Sequence, residues 1–282
     1  MAIVTLATGE TIWYRKLGNG APVLQVHGSA FGHRNFEKMT PLLQDRFEVI
    51  DFDLPGYGES RHGPVVATSM DALADQVYAL IKALGYEKLS IHGTSFGAII
   101  AVTLAVRHPE VVDELYLSCF LARYDNAARM MRATWKRAAL AMGMEAVADL
   151  TSIAGFARSF YDRPGAAAQL EAMRAAFLKN TPEAFIAATE AIERTDLSPV
   201  ITGLTARTLL LAGDEDNMTP FSPAESGVGF AQIAAQLPSA ELVVLEKCGH
   251  YLVIEEPERA AAAIVAFAGA AHARQGWLAK AV

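Results

Sequence analysis

The sequence predicts an α/β protein: a mostly parallel eight-stranded sheet flanked by helices, with a four-helix insertion forming a cap. Three observations carry this expectation. Eight strand-length apolar or alternating runs recur along the 282 residues. From Val23 onward they alternate with helix-length segments, the pattern of a sheet covered on both faces. Between about residues 124 and 197 the alternation stops and only helical patterns remain.

The elements follow in order. "AIVTLA" and "TIWYRKL" flank "TGE" and predict an antiparallel opening. "PVLQVH", "FEVIDF", "KLSIH", "ELYLSCF", "RTLLLAG" and "ELVVLEK" are rich in Val, Ile, Leu, Phe or Tyr and read as further strands. "SMDALADQVYALIKALG" and "PERAAAAIVAFAGAAH" have helix length. Four helices are expected to begin near Asn126, Glu145, Ala166 and Pro182, separated by Gly, Pro and Asn in "AMGME", "YDRPG" and "NTPE". Four consecutive helices exceed what a crossover needs, so residues 124–197 are expected to form a lid over a core made of 1–123 and 198–282.

Composition narrows the function. A net charge of −7 argues against nucleic acid, which demands a basic footprint. No apolar stretch reaches the ~20 residues of a membrane span, and the N-terminus lacks a secretory pattern. Cys119 and Cys248 lie far apart without metal-ligand spacing. A cytoplasmic protein, monomer or homodimer, is the expectation. No metal cluster, phosphate loop or dinucleotide fingerprint is found, so no cofactor and no metal are expected.

Chemistry gathers around "IHGTSFGAII", where Gly93 and Gly97 bracket Ser95 between a strand and a helix. In an open parallel sheet, ligands bind beyond the carboxyl ends of strands. Gly-x-Ser-x-Gly at a tight strand-to-helix turn lifts a hydroxyl clear of the backbone. A serine hydroxyl needs a base to become a nucleophile. Of seven histidines, His250 stands on the loop between the last strand and the last helix, at the same edge as Ser95. His27 and His92 adjoin strands, His108 ends a helix, and His33, His62 and His272 fall in loops or the tail. "GDEDNMTP" follows a strand and offers Asp214, Glu215 or Asp216 as the acid that orients the imidazole.

These motifs resemble those of the α/β-hydrolase superfamily over nearly the whole chain. "HGTSFG" is similar to its nucleophile elbow, and "GHYLVIEEPE" to its histidine loop. "GDEDNMTP" is similar to the acid loop, with Gly213 and Pro220 framing Asp216, which the resemblance therefore favours. "DFDLPGYGES" matches the loop after the fourth strand, a fold marker. "VHGSAFG" resembles the turn that carries one oxyanion-hole donor, which implies the backbone N–H groups of Ser29 and Phe96 as the pair. Serine at position 95 argues against dehalogenases and epoxide hydrolases, which carry aspartate there.

The resemblance implies ester or lactone hydrolysis of a small molecule through an acyl-enzyme. Carbon–carbon hydrolases of ring-cleavage products are the alternative; they often carry asparagine before the serine and tryptophan after the histidine, where this chain has Thr94 and Tyr251. Hydrolase-fold receptors, cofactor-free dioxygenases and hydroxynitrile lyases are non-hydrolytic alternatives. Substrate contacts are expected from His27, Gly28, Arg132, Trp135 and Tyr251. Arg129, Arg132, Lys136 and Arg137 could face a substrate carboxylate, and Met130, Met131, Trp135, Met142 and Phe156 could line an apolar pocket. The expected partner is thus a small apolar substrate, with a carboxylate as an option.

Overall fold

A computed structural model of the chain describes residues 2–60 and 69–278, with side chains placed as far as residue 270. Eight strands form one sheet: β1 (Ala2–Thr5), β2 (Thr11–Leu17), β3 (Ala21–Val26), β4 (Phe47–Phe52), β5 (Leu89–Thr94), β6 (Val112–Ser118), β7 (Arg207–Gly213) and β8 (Ala240–Leu245). Their spatial order is β1-β2-β4-β3-β5-β6-β7-β8. β1–β2 and β2–β4 pair antiparallel, and every other neighbouring pair is parallel.

Side chains alternate across this sheet, and both faces are buried. Leu24, Ile50 and Leu210 enter one apolar cluster, whereas their neighbours Val23, Val49, Leu209 and Leu211 enter another. The helices outside the insertion are α1 (Thr40–Leu43), α2 (Met70–Ala83), α3 (Phe96–Arg107), α8 (Phe230–Gln236), α9 (Leu252–Glu255) and α10 (Pro257–Leu278). α2, α3 and α8 cover the first face, and α1 and α10 the second. None of the described helices is long and apolar enough to cross a membrane.

The insertion contains four helices, α4 (Asn126–Met142), α5 (Met144–Gly155), α6 (Ala166–Phe177) and α7 (Pro182–Glu193). Asp125 caps α4 by accepting the Ala128 N–H at 2.9 Å, and Gly143 stops it with φ +80°. Thr181 caps α7 ahead of Pro182. These helices build their own apolar cluster around Trp135, Val147, Phe156, Phe160, Phe177 and Phe185. Ala30, Phe31, Met218 and Tyr251 join that cluster from loops at strand ends.

Strand order decides where a ligand can sit. From β3 the chain steps to β4 on one side, then returns to β5 on the other. The loops leaving β3 and β5 therefore diverge, opening a crevice at the carboxyl edge. Those two loops carry Gly28–Ser29 and Ser95–Phe96.

The "DFDLPGYGES" loop is structural. Its Asp53 carboxylate accepts from the Glu59 N–H at 2.8 Å and pairs with His33 Nδ1 at 2.9 Å. Gly58 turns closely over this carboxylate, with φ +46° and no room for a Cβ.

Candidate active site

Ser95 occupies a backbone conformation that few side-chain-bearing residues adopt, with φ +54° and ψ −116°. Such strain costs of order 1–3 kcal/mol and must be imposed by its surroundings. The Ser95 N–H donates to Ser118 O at 2.8 Å, and Ser95 O accepts from Ala98 and Ile99 at the start of α3. Close approach of α3 to the sheet requires both flanking glycines. A Cβ on Gly97 would stand 1.9 Å from Val26 O, and one on Gly93 2.5 Å from Gly97 O. Ser95 is half-buried while its neighbours are buried, so its hydroxyl faces a cavity.

His250 Nε2 lies 3.0 Å from Ser95 Oγ, and His250 Nδ1 lies 3.0 Å from Asp216 Oδ2. Asp216 is further fixed by the N–H groups of Met218 and Thr219 on Oδ1 and by Thr219 Oγ1 on Oδ2 at 2.7 Å. Burial alone would raise the Asp216 carboxyl, but the facing His250 and the donors from His250 and Thr219 hold it below the ordinary value. An ionised acceptor on Nδ1 keeps the imidazole proton there and leaves Nε2 free to accept.

The three acids of this loop have three different partners. Asp214 Oδ1 accepts the Cys248 N–H at 3.2 Å, and Glu215 Oε2 accepts the Arg158 N–H at 2.9 Å. Only Asp216 among them meets the imidazole. Other histidines are committed elsewhere. Burial pushes His92 down to about 3, and His108 pairs with Asp75 at 2.9 Å. His62 and the side chain of His272 lie outside the described residues. Cys119 is the third member of the one potential metal-ligand group among the described residues, with Asp216 and His250. Burial raises its thiol well above the ordinary value, and Asp216 and His250 already bond to each other.

A cavity of about 40 Å³ is lined by Gly28, Ser29, Thr94, Ser95, Arg132, Trp135, His250 and Tyr251, among others. The Gly28 N–H donates to Asn35 Oδ1 at 2.8 Å, so it is already spent within the turn, and Ser29 follows it in the cavity wall. Phe96 opens the first turn of α3, and its ring is buried in the core. Tyr251 packs edge-on against Phe31, with ring centroids 5.6 Å apart.

His27 corrects an expectation. Its ring is fully buried, with Nδ1 2.8 Å from Gly28 O and Nε2 accepting the Leu54 N–H at 3.0 Å, so it braces the turn instead of meeting substrate. Met130 and Met142 are exposed, and Phe156 stacks on Phe160, so none of these lines the cavity.

With this geometry in view, known proteins place the chain. A model of the alpha/beta hydrolase fold matches residues 21–257. The chain belongs to the alpha/beta hydrolase fold family. A pimeloyl-[acyl-carrier protein] methyl ester esterase of Nitrosomonas europaea is 28% identical, over 86% of this chain and 93% of that protein. The 2-hydroxymuconate semialdehyde hydrolase of a Pseudomonas species is 27% identical, over 91% and 89%. The solved structure of a thermophilic esterase from Thermogutta terrifontis, with malate bound, superposes with a TM-score of 0.82, at 28% identity over 99% of both chains.

In this alpha/beta hydrolase the insertion is tied to the loop that carries His250. The His250 N–H donates to Gly155 O at 2.6 Å. Arg163 Nη2 donates to Lys247 O at 2.8 Å. Glu255, which sequence reasoning missed, accepts from Ala157 N–H at 3.2 Å and Gly249 N–H at 3.0 Å, joining the helical insertion and the histidine loop through one carboxylate. Burial pushes Glu255 up to about 7, against the opposing pull of those two N–H groups. A raised carboxyl contributes stability that is fully present below its unfolded value, near 4.5, and is lost as pH climbs through about 7. Its expected size is roughly 3 kcal/mol. Urea unfolding of wild type and Glu255→Gln between pH 5 and 8 checks this. The wild-type stability should fall relative to the variant across that range, and a pH-independent difference would refute it.

Proposed function

We propose that the protein is a serine hydrolase that cleaves an ester or lactone bond of a small molecule. The observation that carries this reading is the continuous chain Asp216–His250–Ser95, each link 3.0 Å, ending at a cavity. Ser95 Oγ attacks the acyl carbon while His250 Nε2 takes its proton. The carbonyl π bond opens, and the negative oxygen is held by the N–H groups of Ser29 and Phe96. Collapse breaks the bond to the alcohol, which leaves with the proton from His250. Water, deprotonated by His250, then attacks the Ser95 ester and releases the acid, restoring the serine hydroxyl. No cofactor enters any step. Residues 124–197 act as the lid that walls this cavity, through Arg132, Trp135, Phe177 and Phe185.

Similarity to an esterase relative and an esterase structure supports the ester reading. Similarity to a semialdehyde hydrolase supports a second one, carbon–carbon cleavage of a ring-cleavage product by the same serine.

Two measurements test the proposal. A fluorophosphonate should give a single adduct, which peptide mass mapping assigns to Ser95. A panel of short aryl esters, lactones and vinylogous diketones should show turnover of the first two classes. Turnover of the diketone alone favours the second reading. If no adduct forms and no substrate turns over, the hydrolase reading fails and a receptor or lyase role takes its place.

A further inference from the structure

The ester reading leaves one cation unexplained. Arg132 is only 6% exposed, yet it lines the same cavity as Ser95 and His250. Its only hydrogen bond among the described residues runs from Nη2 to Tyr124 Oη, at 2.8 Å. Its Nε–H is buried with no partner. Among the described residues no carboxylate lies within ion-pair distance of it. The guanidinium packs over the Tyr124 ring at 4.4 Å and lies 5.9 Å from the Trp135 ring. Burial raises Tyr124, so the phenol stays neutral and does not cancel the charge.

The other basic residues of α4 behave differently. Arg129 and Arg137 are exposed, and Lys136 pairs with Glu193 at 2.6 Å. Only Arg132 is turned inward without a counter-ion. A buried cation left unpaired is costly to a fold, and an arriving anion that accepts its free N–H groups removes that cost. The planar fork of arginine suits a carboxylate's two oxygens.

A second observation points the same way. A neighbouring cavity of about 210 Å³ shares Phe31 and Asn35 with the first. Its walls hold Arg34, Lys38 and Lys179 against one acid, Glu37. That is a locally positive approach on a chain whose net charge is −7.

We propose that the substrate is an ester or lactone bearing a carboxylate, and that Arg132 receives this carboxylate while Ser95 attacks the acyl carbon. The proposal rests on the hydrolase reading for the attack, but the recognition of the anion does not depend on turnover. Its experiment therefore has two arms.

In the first, kcat/KM is compared for monoethyl esters of the four- to six-carbon dicarboxylic acids and for ethyl esters of the matching monocarboxylic acids. Wild type should prefer the acid esters by about 10-fold or more, and Arg132→Met should bring the acid-to-neutral ratio close to one, chiefly through KM. In the second, calorimetry measures binding of the corresponding half-amides, which carry the carboxylate but resist cleavage, against their neutral diamides. Wild type should bind the half-amides at least ~10-fold more tightly. This wild-type comparison decides whether an anion is recognised even if Arg132→Met does not fold. Arg132→Gln, which keeps most of the volume and loses the charge, must then abolish the half-amide preference for the assignment to Arg132 to stand. Equal binding of the half-amide and diamide overturns the proposal, as does an acid-to-neutral ratio that survives in Arg132→Met. If half-amides bind selectively while no ester is cleaved, the anion site stands and the hydrolase reading falls.

Discussion

Ser95→Ala is expected to lower kcat/KM on a short aryl ester by about 10⁴- to 10⁶-fold, the range seen when a triad nucleophile is removed. The physical reason is loss of the covalent route. Without Oγ, His250 has no alcohol to deprotonate, and on the proposed mechanism water must attack a carbonyl polarised only by the Ser29 and Phe96 amides. A residual rate above background is expected, because those donors do not depend on the hydroxyl. Stability supplies an independent check on the elbow. At φ +54° the Ser95 backbone is strained, and glycine reaches that conformation without the penalty. Ser95→Gly should therefore be as inactive as Ser95→Ala yet more stable than wild type by about 1 kcal/mol, read as a higher Tm. Retained turnover in either variant would remove Ser95 from the mechanism. A destabilised glycine variant would show that the strain argument is wrong.

What the sequence made legible was local or periodic. The strand–helix alternation is written in side chains two or about three and a half residues apart, so the layered α/β architecture could be read directly. The elbow was readable for the same reason, since Gly93, Ser95 and Gly97 satisfy one turn within five residues. Contacts between distant segments left no such trace. Asn35, which holds Gly28 N–H, and Thr219, which holds Asp216, look like ordinary loop residues until the fold closes. Glu255 joins Ala157 across 98 positions of sequence. His27 misled because a histidine beside a glycine at a strand end looks exposed to ligand, whereas its two nitrogens are spent on backbone. Arg132 is the instructive case. It shares a helical face with Ala128, Trp135 and Ala139, all buried, at spacings of four, three and seven residues. Arg137 lies on the opposite side of α4, but Arg129 and Lys136, three and four residues from Arg132, border the buried face. Helical phase alone therefore could not single out Arg132, and the Glu193 partner of Lys136 comes from another helix.

Asp216→Asn should cost nearly as much as losing the serine, about 10⁴-fold in kcat at neutral pH, with little loss of structure. The hydrogen-bond pattern explains why. The asparagine carbonyl can still accept from the Met218 and Thr219 amides that now meet Oδ1. Its NH₂ must then take the place of Oδ2, facing Thr219 Oγ1 and His250 Nδ1. A donor there can be satisfied only if Nδ1 offers its lone pair, which moves the imidazole proton to Nε2. Nε2 is the atom 3.0 Å from Ser95 Oγ, so it would donate to the hydroxyl where it must accept from it. The variant therefore holds the right side chains in the wrong tautomer. Its fluorophosphonate labelling rate should fall in parallel with kcat, while its Tm stays within a few degrees of wild type. Labelling at the wild-type rate would mean that Asp216 only supports the loop. The acid would then have to be sought in Asp214 or Glu215, whose carboxylates already hold the amides of Cys248 and Arg158.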